Sequence, residues 1–190
     1  MNISKLGNEL ARAVRNRRFE QTESGILFPE AKSIVSGVFC SWVNDGPKDI
    51  SPNVVTNEGI TLALGVLFHS VAAPAAWYIA PFSSSSVPAA SITAANFTAN
   101  LTEFVNYTPA FRQQWVTAAA SGTSITASAP ASFTISAGPS NVYGAALLTS
   151  NVQNGVTGSS YAAAQFATAK LAMGVGDILY VTYSASLTSS

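Results

Sequence analysis

The apolar stretch Asn53–Phe82, NVVTNEGITLALGVLFHSVAAPAAWYIAPF, constrains the fold more than any other feature. A hydropathy window over Ile60–Phe82 reads as a membrane span. The residues argue otherwise. His69, Ser70 and Pro74 interrupt the window, and its unbroken apolar run is about nine residues against the roughly 20 that a bilayer requires. Three pieces remain. Val54 and Val55 close a short extended segment, Thr56 or Asn57 caps a helix running to about Ser70, and Trp77–Phe82 has the aromatic and β-branched profile of a strand. Pro81 is expected to end that strand or to place it near an edge. Ile60, Leu62, Leu64, Val66, Leu67 and Phe68 make the helix apolar nearly all round, so it is expected to be buried on most sides.

The chain after this stretch reads as β throughout. Candidate strands are Ser124–Ser128, Ser132–Ser136, Val142–Thr149, Tyr161–Ala167 and Ile178–Leu187. Turn clusters at Ala129-Pro130, Ala137–Ser140, Asn151–Gly158 and Gly174–Asp177 separate them. A short helix is expected to start near Thr93–Asn96. Before the stretch, Phe19–Asp45 alternates with period two, and residues 1–18 read as an amphipathic helix with Ile3, Leu6, Leu10 and Val14 on one face. Arg12, Arg15, Arg17 and Arg18 crowd the end of that helix, where positive charge suits the dipole. Gly46–Pro52 is a polar, Pro-containing linker. The expected architecture is mainly β: an antiparallel β-sandwich or jelly-roll-like body over residues 53–190 with one buried helix, preceded by an N-terminal arm and extended segment over residues 1–52.

Charge is scarce and unevenly placed. Only 9% of the 190 residues are charged and the formal net charge is zero, against about 25% charged in a typical domain. From Gly59 to Ser190 the formal charges are Glu103, Arg112, Lys170 and Asp177. Mixed surface charge keeps a freely diffusing protein from associating. A Ser/Thr/Ala-rich neutral surface gives that up, which suits a protein that sits in an assembly. Bulk charge predicts neither a nucleic-acid nor a membrane partner, and the arginine cluster has no interleaved aromatics. No apolar run of the secretory kind follows the basic residues of the first 18. The single cysteine, Cys40, rules out an internal disulfide and is expected to be a small buried side chain.

Nothing assembles into reaction chemistry. The only histidine, His69, sits at the end of the apolar helix, where capping or packing is its expected role. A Cys40–His69 dyad has no sequence support, and there is no Gly-x-Ser-x-Gly elbow. Acids are too sparse for a metal cage. Gly174-Val-Gly-Asp177 lacks the rest of any nucleotide-binding fingerprint and reads as a turn. No catalytic residue, metal or cofactor is therefore expected. Glu103 and Arg112 flank the Thr108-Pro109 turn and are expected to form a structural ion pair, cross-strand if Thr102–Tyr107 and Phe111–Thr117 make a hairpin. Asp177 is expected to pair with Lys170 or to fix its own turn.

The order of segments resembles a known family. It runs Gly25-Ile-Leu-Phe-Pro29, Asn53-Val-Val-Thr-Asn-Glu-Gly59, Trp77-Tyr-Ile-Ala-Pro-Phe82 and Thr93-Ala-Ala-Asn-Phe97. Glu103, Tyr107, Arg112, Gly144-Ala-Ala-Leu-Leu148, Gly158, Phe166 and Gly176-Asp-Ile-Leu-Tyr-Val-Thr-Tyr183 complete it. This pattern, over most of residues 25–187, is similar to the small structural proteins of tailed bacteriophages that decorate or cement the capsid. The resemblance implies a virion protein without enzymatic activity, on the capsid exterior, that bridges capsid subunits. Its partners would be the major capsid protein and further copies of itself, as a dimer or trimer. Leu6, Leu10 and Val14, with Arg12, Arg15, Arg17 and Arg18, are the expected capsid contacts. The alternatives are a tail, neck or fibre-attachment component and, less favoured, a carbohydrate-binding β-domain using Trp77, Trp115 and the tyrosines.

Overall fold

In this computed structural model residues 19–21, 27–29 and 33–189 are described, with side chains from 35 to 188. The chain divides into two compact units, residues 1–34 with 188–190, and Val35–Leu187. The described part of the first is a hairpin of β1 (Phe19–Gln21) and β2 (Leu27–Pro29), antiparallel with Phe19 opposite Pro29 and Gln21 opposite Leu27. The helix expected over residues 1–18, with its candidate contacts Leu6, Leu10, Arg12, Val14, Arg15, Arg17 and Arg18, lies outside the described residues.

The second unit is an antiparallel β-sandwich. Its strands are β3 (Ser33–Val43), β4 (Asp49–Pro52), β5 (Val54–Val55), β6 (Tyr78–Phe82), β7 (Tyr107–Thr108), β8 (Gln113–Gln114), β9 (Ser124–Thr126), β10 (Ala131–Ile135), β11 (Ser140–Leu148), β12 (Ser160–Met173) and β13 (Ile178–Ser189). Two helices accompany them, α1 (Asn57–Phe68) and α2 (Phe97–Leu101). One sheet runs β4-β3-β13-β10-β7, with β9 also paired to β13; the other runs β5-β12-β11-β6-β8. Each sheet ends in strands of only two to four residues. On their outer sides the longer strands β3 and β12 pair with these short ones only at Val38–Ser41 and at Ala162 and Ala163.

Burial explains the strand patterns. Phe39, Phe133, Leu179, Val181 and Tyr183 of the first sheet meet Ile79, Ala145, Leu147, Ala162 and Ala164 of the second in the main core. The second sheet is also covered on its outer face, where Ala80, Phe82, Ala146, Leu148 and Ala163 pack against Ile92, Ala94, Phe97 and Leu101. A strand buried on both faces needs apolar residues at every position rather than at alternate ones. That is why β6 and the end of β11 read as unbroken apolar runs. Pro81 lies inside β6 opposite Ala145, and β8 pairs only at Tyr78 and Ile79, so its missing N–H leaves no gap in that ladder.

Two expectations change here. The boundary expected after Pro52 falls inside the sandwich. Phe39 and Ser41 alternate into the core from β3, and the polar segment after Val43 is a turn leading into β4, which pairs with β3 from Val38 to Ser41. The second unit therefore begins at Val35. Cys40, on the opposite face of β3 from Phe39, is partly exposed rather than buried, because the period-two alternation of the strand turns it away from the core.

Candidate interaction site

Helix α1 is held by its first turn. The Thr56 hydroxyl accepts from the Gly59 N–H at 3.0 Å and donates to the Ser160 carbonyl at 2.6 Å. The Glu58 carboxylate accepts two backbone N–H groups from other elements, Ser160 at 2.6 Å and Ala94 at 2.8 Å. Gly59 is the only buried residue of the helix, and a Cβ there would stand 2.6 Å from the Tyr161 Cα, so the helix start lies directly on the backbone of β12. At the other end the His69 and Val71 N–H groups both reach the Gly65 carbonyl, at 3.0 and 3.1 Å, with Ser70 at φ 56°. His69 caps the helix through its backbone, and no basic residue lies in the last turn.

Between these ends the helix has two apolar faces. Leu62, Ala63 and Val66 turn toward the sandwich and are half-buried. Ile60, Leu64, Leu67 and Phe68 turn outward and are 43%, 52%, 69% and 81% exposed. Burial on most sides was expected for this helix; only one side is covered. The physical reason is the clamp at the first turn, which fixes α1 as a layer on β12, with no further layer of the described residues over it. The outer residues fall at i, i+4, i+7 and i+8, the spacing of a helix face that packs against something.

An apolar depression runs beneath the helix. Val35, Ala63, Leu67, Ile125, Ala185 and Leu187 line a groove of about 480 Å³. Two further hollows continue it. One of about 320 Å³ lies between Leu62, Val66, Pro74 and Trp77, and one of about 390 Å³ enters between the sheets beside Trp77, Trp115, Leu147 and Tyr161. No formally charged residue lines any of the three. Burial also pushes the Tyr161 phenol above its ordinary range. Trp115 is buried, donates its indole N–H to the Tyr183 carbonyl at 3.0 Å and meets the Tyr183 ring edge-on. Trp77 stands edge-on to Tyr161. The two tryptophans thus line a cleft instead of making the open platform on which a sugar ring stacks.

The scarce charges of the second unit are placed in the opposite way. Glu103 and Arg112 form the expected ion pair, with both side chains fully buried: Nε donates to Oε1 and Nη2 to Oε2, each at 2.7 Å. The expected hairpin is absent. Tyr107–Thr108 pairs with β10 in one sheet and Gln113–Gln114 with β6 in the other. Glu103 itself bridges Phe82 of β6, so the pair joins two segments that flank β6 rather than two strands of a hairpin. The fork is otherwise satisfied by the Ser150 carbonyl at 3.0 Å and the Gly155 carbonyl at 3.2 Å, and Glu103 also accepts from the Asn154 N–H at 2.8 Å. Asp177 fixes its own turn through the Gly174 N–H at 2.7 Å and takes the Asn44 side chain at 2.9 Å; those two bonds, the Asn44 one first, hold its carboxyl below the usual range. Lys170 pairs instead with Asp49 at 3.6 Å.

Cys40 lies on β3 and His69 at the end of α1. Among the described residues no three His, Cys, Asp or Glu side chains come together, and no helix is long and apolar enough to cross a membrane. The chain matches no protein-family model and no curated protein. The outer face of α1 is the feature that sequence reasoning missed. Its signal was present, because a helix without a polar face has one apolar side left over whenever it packs on only one neighbour.

Proposed function

We propose that this chain is a non-enzymatic structural protein of a tailed-phage virion, bound to the outer surface of the capsid and stabilising it by bridging capsid subunits. The single observation that carries the reading is the outward apolar face of α1 on a body with hardly any surface charge. A chain that lives alone in water hides such a face. One that spends its working life in a permanent assembly uses it, and apolar burial supplies affinity at roughly 25 cal/mol per Å² without any turnover chemistry. The resemblance of the segment order to decoration proteins supports the same reading. Within it, Leu6, Leu10 and Val14 supply apolar contacts of the arm, and Arg12, Arg15, Arg17 and Arg18 meet acidic groups of the major capsid protein.

The test is co-sedimentation of the full chain, and of a chain lacking residues 1–18, with capsid shells that lack it, together with its copy number in intact particles. The full chain is expected to saturate shells at a copy number comparable to that of the capsid protein, and the truncated chain to bind less. A copy number matching a single ring places it in the tail or neck and overturns the capsid reading. Unchanged occupancy after truncation overturns the arm.

A further inference from the structure

We infer that the outer face of α1 is the surface through which copies of this chain associate with one another. Three observations converge on a second copy as its occupant. The first is area. Ile60, Leu64, Leu67, Phe68 and the neighbouring Val71, itself 42% exposed, present an apolar patch. Together they offer on the order of 500 Å², the upper end of what the largest patch on a monomer reaches and more than half of the ~800 Å² per partner in a standard interface. The groove edge formed by Val35 and Leu187 adjoins the patch through Leu67 and extends it.

The second is charge. In a contact between identical copies a charge on the patch needs an opposite charge elsewhere on that same patch, and a patch without formal charge meets its copy with none left unpaired. The outer face of α1 and all three hollows under it carry none. A membrane-surface helix, by contrast, carries Lys or Arg along its polar face. Here α1 has no basic residue at all.

The third is the way the helix is mounted for association. The mounting suits it: Thr56, Glu58 and Gly59 fix the first turn to β12, so the two following turns are presented rigidly and little ordering entropy is lost on contact.

The inference concerns the purified chain alone and is independent of where the assembly sits in a virion. The mass of the full chain in solution is measured by light scattering after size exclusion, for wild type, Leu64→Glu, Leu64→Lys, and an equimolar mixture of the two variants. Wild type is expected to run as a homo-oligomer, each variant as a monomer with unchanged circular dichroism, and the mixture to recover the oligomer because opposite charges now meet across the contact. A wild-type monomer, or oligomeric single variants, overturns the inference; so do folded monomeric variants that stay monomeric when mixed. Disulfide trapping gives a second readout that needs no charge in the patch. Leu64→Cys in a Cys40→Ser background is expected to form covalent dimers on oxidation, and absence of dimers counts against the contact. Shell binding by a chain that stays monomeric would assign the face to the capsid protein instead, which leaves the proposed function standing and overturns this inference.

Discussion

Two regions of the sandwich treat polarity in opposite ways. At Glu103 and Arg112 a full positive and a full negative charge lie inside, sealed from water and bonded to each other and to three backbone groups. On the outer side of α1 the residues that ordinarily make a core, Ile60, Leu64, Leu67 and Phe68, lie outside. The first arrangement is complete within one chain. Each carboxylate oxygen and each guanidinium nitrogen of the pair has a partner, so it fixes the geometry of the loops it ties and offers nothing to another molecule. The second is incomplete within one chain, since apolar surface gains its stabilisation only when something covers it. The contrast separates a region completed within one chain from a region that one chain leaves uncovered.

Breaking the sealed ion pair gives the largest effect. Arg112→Met leaves the Glu103 carboxylate buried and unpaired, which costs about 3–5 kcal/mol, measured as a lowered midpoint in chemical denaturation. Adding Glu103→Leu to that variant removes the stranded charge. It is expected to recover part of the loss but not all, because the Ser150 and Gly155 carbonyls and the Asn154 N–H still lose their partners. Next comes the mount of α1. Glu58→Ala removes the acceptor of the Ser160 and Ala94 N–H groups. Its expected cost is about 2–3 kcal/mol, with faster hydrogen exchange concentrated in α1 and the segment around Ala94.

A smaller effect is expected at the Asp177 turn, and it depends on pH. The folded protein holds this carboxyl below its ordinary range, chiefly through Asn44 and then through the Gly174 N–H. Its stabilisation is therefore present above the unfolded-state value and is lost as pH falls through the folded one. Denaturation midpoints of wild type and Asp177→Asn should differ most near neutrality and converge in acid. Smallest of all is the effect of Leu67→Glu on the stability of the isolated chain, within about 0.5 kcal/mol, since the side chain is already largely in water. Its effect on association is expected to be large. A variant with little consequence for folding and a large one for assembly is what separates the outer face of α1 from the Glu103–Arg112 pair.

Much of the fold was legible in the sequence because the signals were local. Thr56 as a cap, the strand before Phe82, and the strands from Ser124 onward follow from side-chain type and spacing alone. The Glu103–Arg112 pair was also visible, for charges so rare in a long neutral stretch have few other partners. Its route was not, because Glu103 attaches to β6 through a single bridge and Arg112 precedes the two-residue β8, and no periodicity encodes which strand such short segments join. The exposed side of α1 was misread for a related reason. An apolar helix pattern does not say how many of its faces its own chain covers. The boundary at Pro52 failed because the Gly46-Pro47 turn looks the same whether it links domains or neighbouring strands of one sheet.

The central claim is that the outer face of α1 is covered when the protein is at work. The direct measurement is thiol labelling of Leu67→Cys in a Cys40→Ser background, on the free chain under conditions that hold it monomeric and on intact particles. Val175→Cys in the same background, at a turn residue 71% exposed that lines none of the hollows beneath α1, serves as the reference. The account predicts that the thiol introduced at position 67 labels readily in the free monomer and is protected in particles, while the thiol at position 175 labels far more readily there. Equal labelling at position 67 in monomer and particle would mean that the apolar face stays in water in the assembled state, and would contradict the account.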